Sequence, residues 1–267
     1  PIYEKITIRR QDYRPPAWLA DEIELEFDLD PDRTLVIAIT RFRRNPESPG
    51  EFTLDGDALE LLEVAVDGRI LRAEEYSCSP RLLRITQVPE QFTLRVVTAI
   101  APARNTELMG LYVSSDNFFT QCEAEGFRRI TYFPDRPDVM ARYSVTLRAD
   151  LERYPVLLSN GNLVESGRLP AARDGSVRHW ARWVDPFPKP SYLFALVAGK
   201  LVATEERLRT RSGREVLLQV WVEPGNEGKT AHAMRSLVRS IKWDEQRFGL
   251  ELDLDRFMRS EEHTSEL

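Results

Sequence analysis

The chain has 267 residues and 30.8 kDa, enough for one large β domain or two smaller ones. A net charge of −6 and a pI near 5.4 give no ground for nucleic acid or an anionic membrane surface as partner. Of the 37 basic residues 32 are arginines, and they lie scattered among acids rather than gathered into a patch. No apolar run reaches the ~18 residues of a membrane span. The first ten residues, PIYEKITIRR, lack the apolar core of a signal peptide. Cys78 and Cys122 are the only cysteines, without zinc-type spacing and too few for a disulfide framework, so a cytoplasmic location is expected.

Residues 22–30 alternate cleanly, with Ile23, Leu25, Phe27 and Leu29 on one face and mostly acids on the other. Asp30-Pro31-Asp32 turns the chain, and 34–42 returns as TLVIAITRF, predicting a hairpin. Pro46, Pro49 and Gly50 mark a loop, and 59–66 is a further strand ended by the tight-turn pair Asp67-Gly68. Strands over 82–88 and 92–100 continue the pattern. Short strands at this spacing, with no helix for over a hundred residues, argue a sandwich or open barrel of antiparallel sheets.

Residues 118–142, FFTQCEAEGFRRITYFPDRPDVMAR, concentrate polar groups on what otherwise reads as strand. Continued alternation would put Gln121, Glu123 and Glu125 on one face and turn Cys122 and Ala124 into the core. An amide and carboxylates on one rigid strand form an acceptor-rich platform suited to an ammonium group. The bland alternative, a solvated strand face, stands beside it. Cys122 reads as a buried structural thiol, since no histidine is placed to activate it as a nucleophile. Asp135-Arg136-Pro137-Asp138 reads as a helix start, with Asp135 as cap and Pro137 in the first turn.

Strands are expected over 143–149, 156–158 and 178–184, with a turn at Ser159-Asn160-Gly161-Asn162. Residues 185–190, DPFPKP, are too proline-dense for a regular element and lead into an apolar strand over 192–197. After a boundary at Gly199 come a turn at Ser212-Gly213 and a strand over 216–222. Met234, Leu237, Val238 and Ile241 then stand at i, i+3, i+4 and i+7, the stripe of an amphipathic helix closed by Gly249.

The string TQCEAEGFRRITYFPDRPDV resembles the signature segment of the bacterial-type aminopeptidase N family, zinc-dependent alanyl aminopeptidases of the gluzincin superfamily. Animal relatives carry a visibly different string at this point. Leu158-Ser159-Asn160-Gly161-Asn162 and residues 185–199, DPFPKPSYLFALVAG, agree with it, and the likeness runs from about residue 13 to 258. It implies a mainly β fold: an antiparallel, saddle-like β-sandwich domain over 1–199, then the truncated start of an α/β thermolysin-like catalytic domain over 200–258. Residues 259–267, RSEEHTSEL, depart from the family pattern, which continues as an apolar strand towards a G-A-M-E-N loop. They resemble one reading frame of a sequencing adapter and are set aside.

The family's reaction uses a zinc held by the two histidines of an H-E-x-x-H helix and a distal glutamate. Here the only histidines are His179, His232 and His263, no two at i, i+4, and each reads as structural or surface. No catalytic residue and no zinc ligand is therefore assigned; the zinc belongs to the intact family enzyme. By the resemblance, Gln121 and Glu123 are the β domain's share of a site that holds the free α-amino group of a peptide, completed by the G-A-M-E-N glutamate. That amine has an ordinary pKa of about 7.7–8.0, so it is mostly charged at neutral pH and seeks rigidly held oxygens. The expected function is the N-terminal part of an enzyme that removes N-terminal residues from peptides, inactive by itself. A noncatalytic scaffold relative and a free-standing β-sandwich binding module are the rivals.

Overall fold

The computed structural model describes residues 9–170 and 175–260. The strand Trp18–Asp28 alternates as its sequence requires, with Ile23, Leu25 and Phe27 almost wholly buried. It pairs antiparallel with Thr34–Arg44, and the Asp30 carboxylate fixes the turn between them by accepting the N–H groups of Asp32 and Arg33 at 2.9 and 3.0 Å. Asp67 and Gly68, both at positive φ, close the strand Glu60–Val66 onto Arg69–Ile70 as the sequence predicts. Gln91–Ile100 joins the same sheet between Thr34–Arg44 and Glu60–Val66.

On its other edge Trp18–Asp28 meets Met140–Asp150, which pairs in turn with Arg178–Pro190 and through it with Asn162–Arg168. The first of these pairings is parallel, from Glu22 opposite Arg142 to Asp28 opposite Arg148. The large sheet is therefore antiparallel, as expected, except at this one seam. A parallel neighbour needs a crossover rather than a hairpin, and here residues 29–139 provide it.

Two small sheets cover the inner face of the large one. Phe52–Asp55, Leu82–Ile85 and Tyr76–Ser79 form the first; Val156–Ser159, Leu196–Gly199, Asn117–Gln121 and Gly110–Ser114 form the second. One continuous apolar core, from Trp18 to Ala198, draws residues from all three sheets. Beneath the signature segment Phe127, Phe133, Tyr143 and Phe194 interlock with ring centroids 5.3–6.2 Å apart, mostly edge to face.

A second apolar cluster forms after residue 200. Val202–Arg209 and Glu215–Val222 make a hairpin through Gly213, and Arg256–Ser260 lies parallel beside Glu215–Val222. The α-helix Ala231–Phe248 presses Met234 and Ile241 onto Leu208, Val216, Leu218, Val220 and Val222, with Leu237 and Val238 partly buried at the margin. It ends at Gly249 in the left-handed conformation, as its sequence predicts. Among the described residues no helix is long and apolar enough to cross a membrane.

Three sequence expectations change. Residues 185–190 belong to the strand Arg178–Pro190; Asn162–Arg168 stops opposite Val184, so this stretch has a partner on one side only and its prolines forfeit no ladder bond there. The run 192–197 is not one strand but a 3-10 turn, Ser191–Leu193, followed by Leu196–Gly199. Arg259 and Ser260, set aside with the tail, pair with Val220 and Trp221; residues 261–267 lie outside the described residues.

Candidate substrate-anchoring site

Gln121 ends the strand Asn117–Gln121, opposite Gly110. Thr120 ties this strand to its other neighbour, its hydroxyl accepting the Leu196 N–H at 2.8 Å and donating to the Leu196 carbonyl at 3.2 Å. The alternation expected through residue 125 stops at Gln121. Residues 122–126 form a turn in which the Gly126 N–H reaches back to the Cys122 carbonyl at 2.8 Å. Gly126 is what lets the chain fold back so tightly, because a Cβ there would lie 2.2 Å from the Gln121 carbonyl oxygen. Cys122 is buried as expected, but Ala124 is exposed rather than in the core. The peptide bond between Glu123 and Ala124 is cis.

The turn still brings the two expected residues together. The Gln121 side-chain Nε2 donates to the Glu123 carbonyl at 2.9 Å, which turns the amide so that its oxygen is left to accept. Glu123 is exposed, and its carboxylate has no ion-pair or hydrogen-bond partner among the described residues. Glu125 differs: its carboxylate lies 3.4 Å from the Arg128 guanidinium, which spends its charge internally. Of the three acceptors read from the sequence, Gln121 and Glu123 stay available for a ligand.

The turn rests on a buried polar frame. Asp135 does not cap a helix; residues 134–139 form turns, with Pro134 and Pro137 confining the backbone. Its carboxylate, with a side chain only 1% exposed, faces back towards Arg128 and accepts the Arg128 backbone N–H at 3.2 Å and Nε at 3.0 Å. Ser191 donates to its other oxygen at 2.5 Å. The Asp135 N–H in turn donates to Asp55 Oδ2 at 3.0 Å, and residues 55 and 133 exchange backbone hydrogen bonds at 2.9 and 3.1 Å. Burial pushes the Asp55 carboxyl above its ordinary pKa, against the opposing pull of Arg128. Arg129 adds an ion pair with Asp57 at 3.0 Å. The segment after Glu123 is thus clamped to the loop following Phe52–Asp55, a pairing too distant in sequence for local pattern to show.

Other chemistry finds little support. Burial raises the Cys122 thiol well above its usual pKa, which leaves it a poor nucleophile. His179 Nε2 lies 2.7 Å from the Tyr154 carbonyl, and the exposed His232 lies 3.4 Å from the Ser236 hydroxyl. Among the described residues no three His, Cys, Asp or Glu side chains converge as a cation cage. A cavity of about 680 Å³ opens beside the frame, with Trp18, Asp55, Glu125 and Arg128 in its wall, but neither Gln121 nor Glu123 lines it.

Residues 63–193 match the Peptidase M1 N-terminal domain. The chain is 52% identical to aminopeptidase N of Caulobacter vibrioides over 247 residues and 48% identical to that of Escherichia coli over 249. These alignments take in 92% and 93% of this chain but only 28% of either relative, so the chain spans under a third of their length. The structure of Legionella pneumophila aminopeptidase A in complex with aspartic acid superposes with a TM-score of 0.87 at 35% identity, over 94% of this chain and 29% of that one. An M1 zinc metallopeptidase of Deinococcus radiodurans, at 14% identity and a TM-score of 0.73, shares the fold over 91% of this chain and 56% of its own. With its signature segment set on the M1 N-terminal sandwich, the chain belongs to the peptidase M1 family and corresponds to the N-terminal portion of bacterial aminopeptidase N.

Proposed function

We propose that the protein acts as the N-terminal part of a cytoplasmic zinc aminopeptidase that removes N-terminal residues from peptides, and that Gln121 and Glu123 hold the peptide's α-ammonium group. The observation that carries this reading is the exposed Glu123 carboxylate without an internal partner, beside an amide oriented by the same turn. A solvated scaffold surface has no need of this pairing, nor of a buried frame beneath it. The division into a β domain over 1–199 and the opening of a catalytic unit over 200–258 belongs to the same proposal, supported by the two separate apolar clusters.

In a zinc aminopeptidase the metal polarises the scissile carbonyl and supplies an activated water. The work of this chain's residues is positional. Gln121 Oε1 and the Glu123 carboxylate accept ammonium N–H groups, which fixes the free N-terminus and rejects peptides whose amine is blocked. Because the metal ligands are not among these residues, the chain by itself should bind amines weakly and hydrolyse nothing.

The test joins residues 1–258 to the corresponding remainder of the Caulobacter vibrioides enzyme and compares Glu123→Gln with its parent. A hydrogen bond to a charged group contributes roughly 1.5–3 kcal/mol, so kcat/KM on a free-amine dipeptide should fall about 10- to 150-fold. The N-acetylated dipeptide should be a poor substrate for both. Unchanged kcat/KM on the free amine would remove Glu123 from the anchor.

A further inference from the structure

The strand that ends at Gln121 begins at Asn117, which is 4% exposed and uses both ends of its side-chain amide. Its Oδ1 accepts the Lys200 N–H at 3.0 Å, and its Nδ2 donates to Glu223 Oε1 at 3.3 Å. Lys200 lies two residues before the first residue of the hairpin Val202–Arg209 and Glu215–Val222, and Glu223 immediately follows it. Gly199 makes the approach possible, since a Cβ there would lie 2.0 Å from Asn117 Oδ1. One buried amide therefore grips both ends of the hairpin.

A second asparagine does related work from the Ser159-Asn160-Gly161-Asn162 turn. Asn162 Oδ1 accepts the Asp255 N–H at 3.1 Å, at the entrance to Arg256–Ser260. Gly161 holds the turn at φ 87°, where a Cβ would lie 2.2 Å from the Val184 carbonyl oxygen. The Arg256 guanidinium sits 5.4 Å from the centre of the Trp183 ring. The two asparagines thus reach all three strands of the downstream sheet at or next to their ends.

We propose that Asn117 is a positioning residue. It locks the strand bearing the amine anchor to the downstream sheet at a fixed angle, with Asn162 as a second and weaker fastening. This rests on the reading of Gln121 and Glu123 as the anchor. Its use is geometric: an ammonium held on the sandwich can be presented to groups on the downstream unit only if the joint between them does not swing.

The two fastenings differ in polarity, and that makes the proposal testable on the chain itself without any peptide. Asn162 acts only as an acceptor, so Asn162→Asp keeps its bond. Asn117 is both acceptor and donor, so Asn117→Asp loses the donor and sets a carboxylate against Glu223. Adding Glu223→Gln reverses the polarity of the pair and restores one donor and one acceptor. Spin labels at Glu107→Cys on the sandwich and Arg239→Cys on the helix, in a Cys78→Ser background, report the angle as a distance distribution.

The parent and Asn162→Asp should give one narrow distance. Asn117→Asp should lose it, because two carboxylates then face each other across the joint, while the Lys200 N–H keeps its acceptor. The double variant Asn117→Asp with Glu223→Gln should recover it. An unchanged distance in Asn117→Asp, no recovery in the double variant, or failure of both to fold would each overturn the proposal. Any of these results leaves the Glu123 kinetics standing as a separate question.

Discussion

The frame under the proposed anchor turn makes a strong demand on stability at Asp135. Its carboxylate receives an ion-paired Nε, a backbone N–H and the Ser191 hydroxyl, and water scarcely reaches it. Replacing it by alanine leaves Arg128 without its close partner. Breaking a buried pair from one side costs about 3–5 kcal/mol. The lower end applies here, because the Arg128 side chain is 21% exposed and keeps the Asp135 carbonyl at 3.0 Å and Glu125 at 3.4 Å. A loss of about 3 kcal/mol corresponds to a fall in Tm of roughly 6–12 °C for a domain of this size. Removing both charges with Arg128→Met and Asp135→Ala should recover a large part of it, since the cost lies in the stranded charge. Calorimetric unfolding of the four proteins of this cycle decides the matter. A loss below about 1 kcal/mol for Asp135→Ala, or a double variant worse than both singles, would show that the frame does not hold the turn.

Two further perturbations follow from the same structure. Lys189 is buried against Asp185 at 3.0 Å and over the Tyr143 ring at 3.8 Å, and burial lowers its pKa to about 8. Between that value and the ordinary one near 10.5 the unfolded chain holds the proton that the folded chain has released, so stability contributed by this site should rise with pH over that window. Tm measured from pH 7.5 to 10 should show this rise in the parent but not in Lys189→Met, and parallel curves would refute it. Gly126→Ala, whose Cβ meets only backbone atoms, should cost about 1–3 kcal/mol in chemical denaturation. Gly68→Ala, at positive φ but in open space, should cost less, about 1 kcal/mol, and equal losses would count against close packing at Gly126.

The strands that the sequence displayed were those whose inner faces are uniformly apolar. Ile23, Leu25 and Phe27 alternate with acids, and the helix stripe from Met234 to Ile241 repeats at helical spacing, so burial follows directly from spacing. Val202–Arg209 was missed because Glu205 and Glu206 interrupt its alternation; both are exposed, and Glu205 accepts from Gln219 on the neighbouring strand. At the proposed anchor, Gln121 and Glu123 stood out in the sequence as candidates, but the geometry that joins them did not. Strand alternation counts residues and cannot register that Gly126 folds the chain back after Gln121. Nor could spacing give the partner of Asp135, because a short carboxylate after a proline reads as a helix cap until the loop at residues 55–57 is brought against it.

The parallel seam bears on how this chain is made. As synthesis proceeds, Trp18–Asp28 and Thr34–Arg44 emerge first and can pair at once, but the outer edge of Trp18–Asp28 has no partner until Met140–Asp150 leaves the ribosome. At 5–20 residues per second that interval is on the order of 6–25 s. An open strand edge on a nascent chain invites pairing with neighbouring chains. Glu22, Glu24, Glu26 and Asp28, spaced two apart along this strand, put a row of negative charge beside the open edge and repel such partners. When the proper strand arrives it brings arginine: Arg148 meets Glu26 at 2.7 Å, and Arg178 on the next strand over reaches Asp28. Glu22 already pairs with Arg41 of the early hairpin at 3.3 Å, so it is Glu26 and Asp28 whose guarding charge is neutralised by the strands that complete the sheet.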